Sequence, residues 1–269
     1  MRTWTEEAGG SCGRTLVDGR PVPAGPDLWA EDAARGCGAF TTLRVHRGRP
    51  LFLADHLERL ERTAAVLGLA CPGRAAVTGE IGRAALDAPD ARVRVALLPA
   101  GRGAVTRVVF AEPWEASFPP WRIVPALLDT PPAHPQLKTT RRLPYRQARR
   151  RVAGDDALVV DAAGRYLECT VANFFLVCGS RLRTPPASEP LLPGIARRHV
   201  LAWAPDAGLA AEEAPLGPDD VRSADACFVT NAVLLAHAVA EVAGVARFGA
   251  CPLVETVHDA LLGRGVEGV

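Results

Sequence analysis

The chain has 269 residues, enough for one large domain or two of ordinary size. Hydrophobic residues make up 48% and charged residues 23%, the balance of a soluble globular protein with a sizeable core. A net charge of +1 gives no overall field to draw it to nucleic acid or an anionic membrane. No run of about 18 uncharged apolar residues occurs, so no transmembrane helix is expected. The stretch Met1–Glu7 has no apolar signal core, which points to a cytoplasmic protein. Seven cysteines, at 12, 37, 71, 169, 178, 227 and 251, never form a Cys-x-x-Cys pair. Their odd number and scatter argue against a disulfide framework and a metal site, and predict mostly small buried residues.

In chain order, Arg14–Val22 predicts a hairpin turning at Asp18-Gly19, and a proline-rich passage runs on to residue 34. Next, Phe40, Thr42, Arg44 and His46 alternate with Thr41, Leu43 and Val45, the period of a strand, ended by Arg47-Gly48. The Gly36-Cys-Gly38 at its head is no dinucleotide fingerprint, because it precedes a strand and opens no helix. From Asp55 to Leu69, Leu57, Leu60, Ala64 and Leu67 line one face of a helix. A second helix is expected from about Arg74 to Leu86, then strands over Arg92–Leu98 and Val105–Ala111. Three prolines between Glu112 and Pro120 read as a linker. A smaller N-terminal domain, 1–112, a linker, 113–120, and a larger domain, 121–269, follow from that break.

The second part opens with a strand, Arg122–Leu127, and an arginine-rich helix from about Pro144 to Val152. Two strands flank Asp161-Ala-Ala-Gly164, and another pair covers Asn173–Val177 and Arg181–Thr184. Leu191-Leu-Pro-Gly-Ile195 leads into a helix to Trp203, Ala226–Thr230 reads as a buried strand, and Thr256–Leu262 as a closing helix. Helices and strands interleave irregularly in both parts, so the fold class is α/β (α+β), in two lobes with a cleft between them. The arginines at 141, 142, 146, 149, 150 and 151 have no interleaved aromatics beyond Tyr145 and read as a solvated or interface face, not a nucleic-acid site.

Of 31 basic residues, 30 are arginine and one, Lys138, is lysine. Arginine supplies fixed charge, but it cannot become a neutral amine near physiological pH and so cannot attack a carbonyl. The one lysine left in such a chain is a candidate for amine chemistry.

Four ordered stretches carry a resemblance to a known family. They are Gly38-Ala-Phe-Thr-Thr-Leu-Arg44 with His56-Leu-Glu-Arg59; Leu137-Lys-Thr-Thr140; Glu168-Cys-Thr-Val-Ala-Asn-Phe-Phe175; and Leu192-Pro-Gly-Ile195 with Thr230-Asn-Ala232. Together the chain resembles the fold-type IV pyridoxal-phosphate enzymes, the class IV aminotransferase family. That family holds branched-chain and D-amino-acid aminotransferases and 4-amino-4-deoxychorismate lyase. The resemblance implies pyridoxal 5'-phosphate in the interdomain cleft, a homodimer, and a small-molecule substrate.

It further implies roles. Lys138 matches the lysine that carries the cofactor as an imine and later acts as general base. Glu168 matches the carboxylate facing the pyridine nitrogen; Asn173 beside it reads as structural. Arg59 resembles the phosphate-clamping arginine, and Gly194, Ile195 and Ala196 open a helix whose N–H groups suit an anion. Thr230, Asn231 and Ala232 align with a second phosphate turn, although Ala232 lacks the hydroxyl often found there. Phe40 and Arg102 would meet substrate, Arg102 standing in for an arginine that some relatives carry where this chain has Leu97. Arg141 and Arg142 depart from the Asn-aromatic pattern of relatives, and Tyr145 stands seven positions after Lys138, not five.

The doublet Thr41-Thr42 followed by Leu43-Arg44-Val45 is the lyase-like form, with the Thr42 hydroxyl near the cofactor. The implied reaction converts 4-amino-4-deoxychorismate to pyruvate and 4-aminobenzoate, a folate precursor. The alternatives are an aminotransferase on branched-chain or D-amino acids and an inactive PLP-fold binding protein, against which the intact Lys138 and Glu168 argue.

Overall fold

Alternation along residues 39–46 builds the first unit. Ala39, Leu43 and Val45 enter one core with Leu57, Leu60, Ala64, Val77 and Ile81 from two helices. Phe40 points the other way and packs with Ala96, Leu98 and Val108. The computed structural model describes residues 13–22, 37–115 and 118–267; the Met1–Glu7 stretch, Cys12 and the proline-rich passage lie outside those residues.

This unit contains β1 (Arg14–Val17), β2 (Arg20–Val22), β3 (Ala39–His46), β4 (Arg49–Pro50), α1 (Leu53–Val66), α2 (Arg74–Ala84), β5 (Ala91–Gly101) and β6 (Ala104–Pro113). The strands form one antiparallel sheet in the order β2-β1-β6-β5-β3-β4. Its β1–β2 turn is Asp18-Gly19 with φ of 48° and 79°, the left-handed pair that a two-residue hairpin needs. Strand β6 runs into the stretch that its prolines mark as a linker: Glu112 and Pro113 still pair with Arg92 and Ala91, a proline being tolerated at a strand end. Residues 137–141 pack with this unit.

The second unit holds β7 (Trp121–Leu127), α3 (Leu143–Arg151), β8 (Asp156–Val160), β9 (Tyr166–Cys169), β10 (Asn173–Cys178), β11 (Arg181–Thr184), α4 (Ile195–Trp203), β12 (Ala210–Glu213), α5 (Pro218–Ser223), β13 (Ala226–Asn231), β14 (Leu235–Val242), β15 (Ala246–Arg247) and the start of α6 (Pro252–Glu267). Its nine-stranded sheet runs β12-β11-β10-β13-β14-β7-β8-β9, with β15 on β14. Strand β9 also pairs with β10 through Glu168 and Asn173, so the path from β10 round to β9 closes on itself. Phe175 and Phe228, both fully buried, stack at 5.0 Å between centroids. The architecture is mixed α/β. Among the described residues no helix is long and apolar enough to cross a membrane.

Candidate active site

The lysine is placed by its backbone. Phe40 N–H donates to the Lys138 carbonyl at 2.9 Å, Thr140 N–H to the Gly38 carbonyl at 2.9 Å, and Gly38 N–H to Thr140 Oγ1 at 2.8 Å. Ala39 and Thr139 form an antiparallel bridge, which adds residues 138–140 to the edge of β3 that β5 leaves open. Only glycine fits at 38, because a Cβ there would sit 2.7 Å from the Leu97 carbonyl oxygen. Lys138 Nζ then lies 4.9 Å from the centroid of the Phe40 ring. The Arg94 guanidinium is 5.4 Å from the same ring, and its Nε donates to Thr42 Oγ1 at 3.3 Å. Cross-strand register explains this grouping: Thr42 pairs with Arg94 and Phe40 with Ala96, so their side chains share one face of the sheet. Thr41 points to the other face, where its Oγ1 meets His56 Nδ1 at 2.6 Å.

Glu168 is placed by side chains. It is the penultimate residue of β9, at 5% exposure. Tyr145, on α3, donates its phenol to Oε1 at 3.0 Å, and Asn173 Nδ2 donates to Oε2 at 3.3 Å. The tight passage that follows is pinned from several sides. Thr170 N–H donates to Ala157 O at 3.1 Å, and Asp156, wholly buried, accepts from Thr170 Oγ1 and from Val171 N–H at 3.2 Å. Burial pushes the Asp156 carboxyl up from the usual carboxylate range, against the opposing pull of Arg149 and these donors. Arg142 donates to the Thr170 carbonyl and stacks at 4.2 Å over the Tyr145 ring.

Three backbone features gather near Asn173. Its Nδ2 also donates to the Leu192 carbonyl at 2.8 Å, and a Cβ on Gly194 would come 2.0 Å from its Oδ1. Gly194 is the N-cap of α4, and Ile195 and Ala196 form the helix's first turn, whose N–H groups have no carbonyl behind them in the helix. Asn173 pairs with Thr230 across β10 and β13. The Thr230 hydroxyl is buried and has no hydrogen-bond partner among the described residues. Asn231 closes the turn after β13: its Oδ1 accepts from Val233 and Leu234 N–H at 2.9 and 2.8 Å, and its Nδ2 donates to Val171 O at 3.2 Å. That side chain is committed to structure, and Ala232 contributes backbone alone.

The remaining expectations land in different places. Arg59 is on α1 in the N-terminal unit and 9% exposed, so it is no solvated helix residue. Arg102 sits exposed at the tip of the β5–β6 hairpin with φ of 50°. The arginine run is not one solvated face: Arg142 is 6% exposed and Arg149 reaches within 3.9 Å of Asp156, whereas Arg150 and Arg151 are exposed. The cysteines depart from expectation too, since only Cys169 and Cys227 of the six described are buried. Burial pushes both thiols up, which keeps them protonated and inert. No cluster of metal-ligating side chains occurs among the described residues. Sequence reasoning passed over Arg94, whose place beside Thr42 comes from the β3–β5 register and carries no local signal. It also left Tyr145 without a partner.

A mixed α/β chain with a backbone-placed lysine and a buried, doubly bonded carboxylate has the parts of a fold-type IV enzyme. The model of the family described as amino-transferase class IV matches residues 38–242, and the chain belongs to that family. The family's cofactor is pyridoxal 5'-phosphate. A branched-chain-amino-acid aminotransferase 6 of Arabidopsis thaliana is 37% identical over 86 residues, 31% of this chain, so the match spans 24% of that relative's length. An aminodeoxychorismate lyase of Bacillus subtilis is 26% identical over 220 residues, covering 74% of this chain and 75% of its own. Among solved structures, a hypothetical aminotransferase from Mycobacterium tuberculosis in a PLP-bound form superposes with TM-score 0.83 at 22% identity, over 95% of this chain and all of that one.

The donor chemistry suits such a cofactor. A phosphate asks for N–H and O–H donors, and the first turn of α4 and the orphaned Thr230 hydroxyl supply them beside a glycine whose Cβ would intrude. A pyridinium asks for a buried carboxylate, and Glu168 is one.

Proposed function

We propose that the chain is a pyridoxal-phosphate-dependent lyase converting 4-amino-4-deoxychorismate to 4-aminobenzoate and pyruvate. The observation that carries this reading is the pairing of Thr42 with Arg94 on the sheet face that also holds Phe40 and Lys138 Nζ. A threonine hydroxyl and a guanidinium next to the amine suit a cyclic substrate that presents an amine and carboxylates together. The likeness to the Bacillus lyase over three quarters of both chains supports the same choice.

When bound, the cofactor supplies an aldehyde for the substrate amine and a ring that withdraws electrons. Lys138 Nζ takes the proton from the amine-bearing carbon. Glu168 keeps a proton on the ring nitrogen. Arg59, the first turn of α4 (Gly194, Ile195, Ala196) and the Thr230–Ala232 turn bind phosphate, the last through Thr230 Oγ1 and backbone groups. Arg94 holds a substrate carboxylate against Phe40, with Arg102 at the β5–β6 hairpin tip as a second contact. Loss of the enolpyruvyl ether leaves an aromatic ring, so the protein has chiefly to position groups and move one proton. A homodimer and a cytoplasmic location belong to the same reading.

An aminotransferase acting on small amino acids is the second reading, favoured by the local 37% identity to a branched-chain enzyme. Incubation with aminodeoxychorismate and no keto acid separates them. Pyruvate and 4-aminobenzoate should form while the cofactor stays in its aldehyde form. Inertness there, with conversion of the cofactor to its amine form by an amino acid and restoration by a keto acid, establishes the second reading.

A further inference from the structure

We propose that Tyr145 is a positioning residue for Glu168, its phenol holding the carboxylate ionised and in one orientation. The inference rests on the reading that Glu168 partners the ring nitrogen of the cofactor. An ionised carboxylate only accepts hydrogen bonds, so at 3.0 Å the phenol O–H is the donor to Oε1. The second oxygen is served by Asn173. Its amide orientation is fixed independently, since the same Nδ2 lies 2.8 Å from the Leu192 carbonyl, where an oxygen would face an oxygen. Each carboxylate oxygen thus has its own protein donor, and donors to a charged form favour that form.

The phenol is itself held. Tyr145 is 4% exposed, and the Arg142 guanidinium covers its ring at 4.2 Å while donating to the Thr170 carbonyl two residues beyond Glu168. One arginine therefore ties the tyrosine to the passage that carries the carboxylate. This gives a purpose to Arg142 and to a tyrosine seven residues after the lysine. The chemical consequence concerns one proton. A carboxylate and a pyridine share it, and every donor that stabilises the carboxylate charge leaves the proton on nitrogen. Loss of the phenol donor makes Glu168 more basic and draws the proton towards oxygen, which weakens the ring as an electron sink.

Two NMR readouts test this on the full chain, one without cofactor and one with it. In the apoprotein, the side-chain carboxyl 13C of Glu168 should titrate at higher pH in Tyr145→Phe than in the parent. With cofactor labelled with 15N in the ring, the parent should show a pyridinium resonance, and Tyr145→Phe a resonance moved towards neutral pyridine. A graded second variant guards against misfolding. The chain has only two tyrosines, so 3-fluorotyrosine incorporation perturbs just Tyr145 and Tyr166. In a Tyr166→Phe background the more acidic phenol should donate more strongly and shift the Glu168 titration to lower pH. Parent-like 13C titrations in both Tyr145→Phe and the fluorinated protein overturn the proposal. Glu168→Gln serves as the separate check on the underlying reading. If that variant keeps the pyridinium resonance, Glu168 is not the nitrogen's partner and the inference falls with the reading. If it loses the resonance while Tyr145→Phe matches the parent, the reading stands and Tyr145 has no part in it.

Discussion

The two units place their chemical groups by opposite means. In the N-terminal unit Lys138 is set by main-chain bonds: a bridge to Ala39 through Thr139 and carbonyl and amide contacts to Gly38 and Phe40 fix residues 138–140 against β3. In the other unit Glu168 is set by side chains, with Tyr145 and Asn173 on its two oxygens. The difference suits the roles proposed for the two groups. A lysine that is to exchange between bonded and free states needs its root fixed, and the backbone bonds do that. A carboxylate that is to stay ionised beside a ring nitrogen needs its tip fixed, and a donor on each oxygen does that.

That contrast predicts how each half breaks. Lys138→Ala should abolish turnover, a loss of at least roughly 10²–10⁴-fold from the missing proton transfer alone. The thermal midpoint of the apoprotein should barely move, because the segment is rooted by its main chain. Borohydride reduction of the loaded parent should fix cofactor on the Lys138 peptide, the only side-chain amine in the chain. Label at the N-terminus alone, or a large drop in the midpoint, contradicts this picture.

Glu168→Gln comes next in size. The amide keeps the shape, yet cannot balance a pyridinium, so activity should fall about 10–100-fold or more, the worth of a hydrogen bond to a charged group. Cofactor retention should stay close to that of the parent. Unchanged turnover would move the acidic role to another residue. Arg59→Ala acts on affinity instead: losing one charge-assisted contact costs on the order of 1.5–3 kcal/mol, so cofactor should bind roughly ten- to a hundredfold more weakly. Equal retention through dialysis removes Arg59 from the phosphate's donors.

Much of this was legible in the sequence, and the limits are physical. Strong period-2 alternation in β3 and turn chemistry at Asp18-Gly19 and Arg47-Gly48 act locally, so those elements follow from the residues themselves. Three elements of the second unit do not. Strand β12 is Ala-Ala-Glu-Glu, a poor strand former that exists because it pairs in parallel with β11. The alanine-rich β14 is a strand because β13 and β7 flank it, and α5 has only six residues. The candidate site divides the same way. Lys138 and Glu168 stand out by residue type and motif, whereas Arg94 beside Thr42 and Tyr145 on Glu168 depend on cross-strand register and on where α3 docks. No local pattern encodes those contacts.

The smallest expected effect tests the rooting itself. Gly38→Ala adds one methyl group, 2.7 Å from the Leu97 carbonyl oxygen, 3.2 Å from Leu98 Cδ2 and 3.3 Å from Thr140 Cγ2. The nearest of these is backbone in the buried strand β5, which cannot give way as a side-chain end can. The overlap must be relieved by moving residue 38 itself, and Gly38 bonds through both N–H and carbonyl to Thr140. The strain should therefore cost on the order of 1–3 kcal/mol of stability and loosen the Lys138 root. Denaturant unfolding of the apoprotein reads the first effect, and faster hydrogen exchange at the Phe40 and Thr140 amides reads the second. Exchange that speeds at those two amides, and stays slow along the β5–β6 ladder, locates the damage at the lysine segment. Parent-like exchange at both would mean that the segment is held by something other than its main-chain bonds to β3.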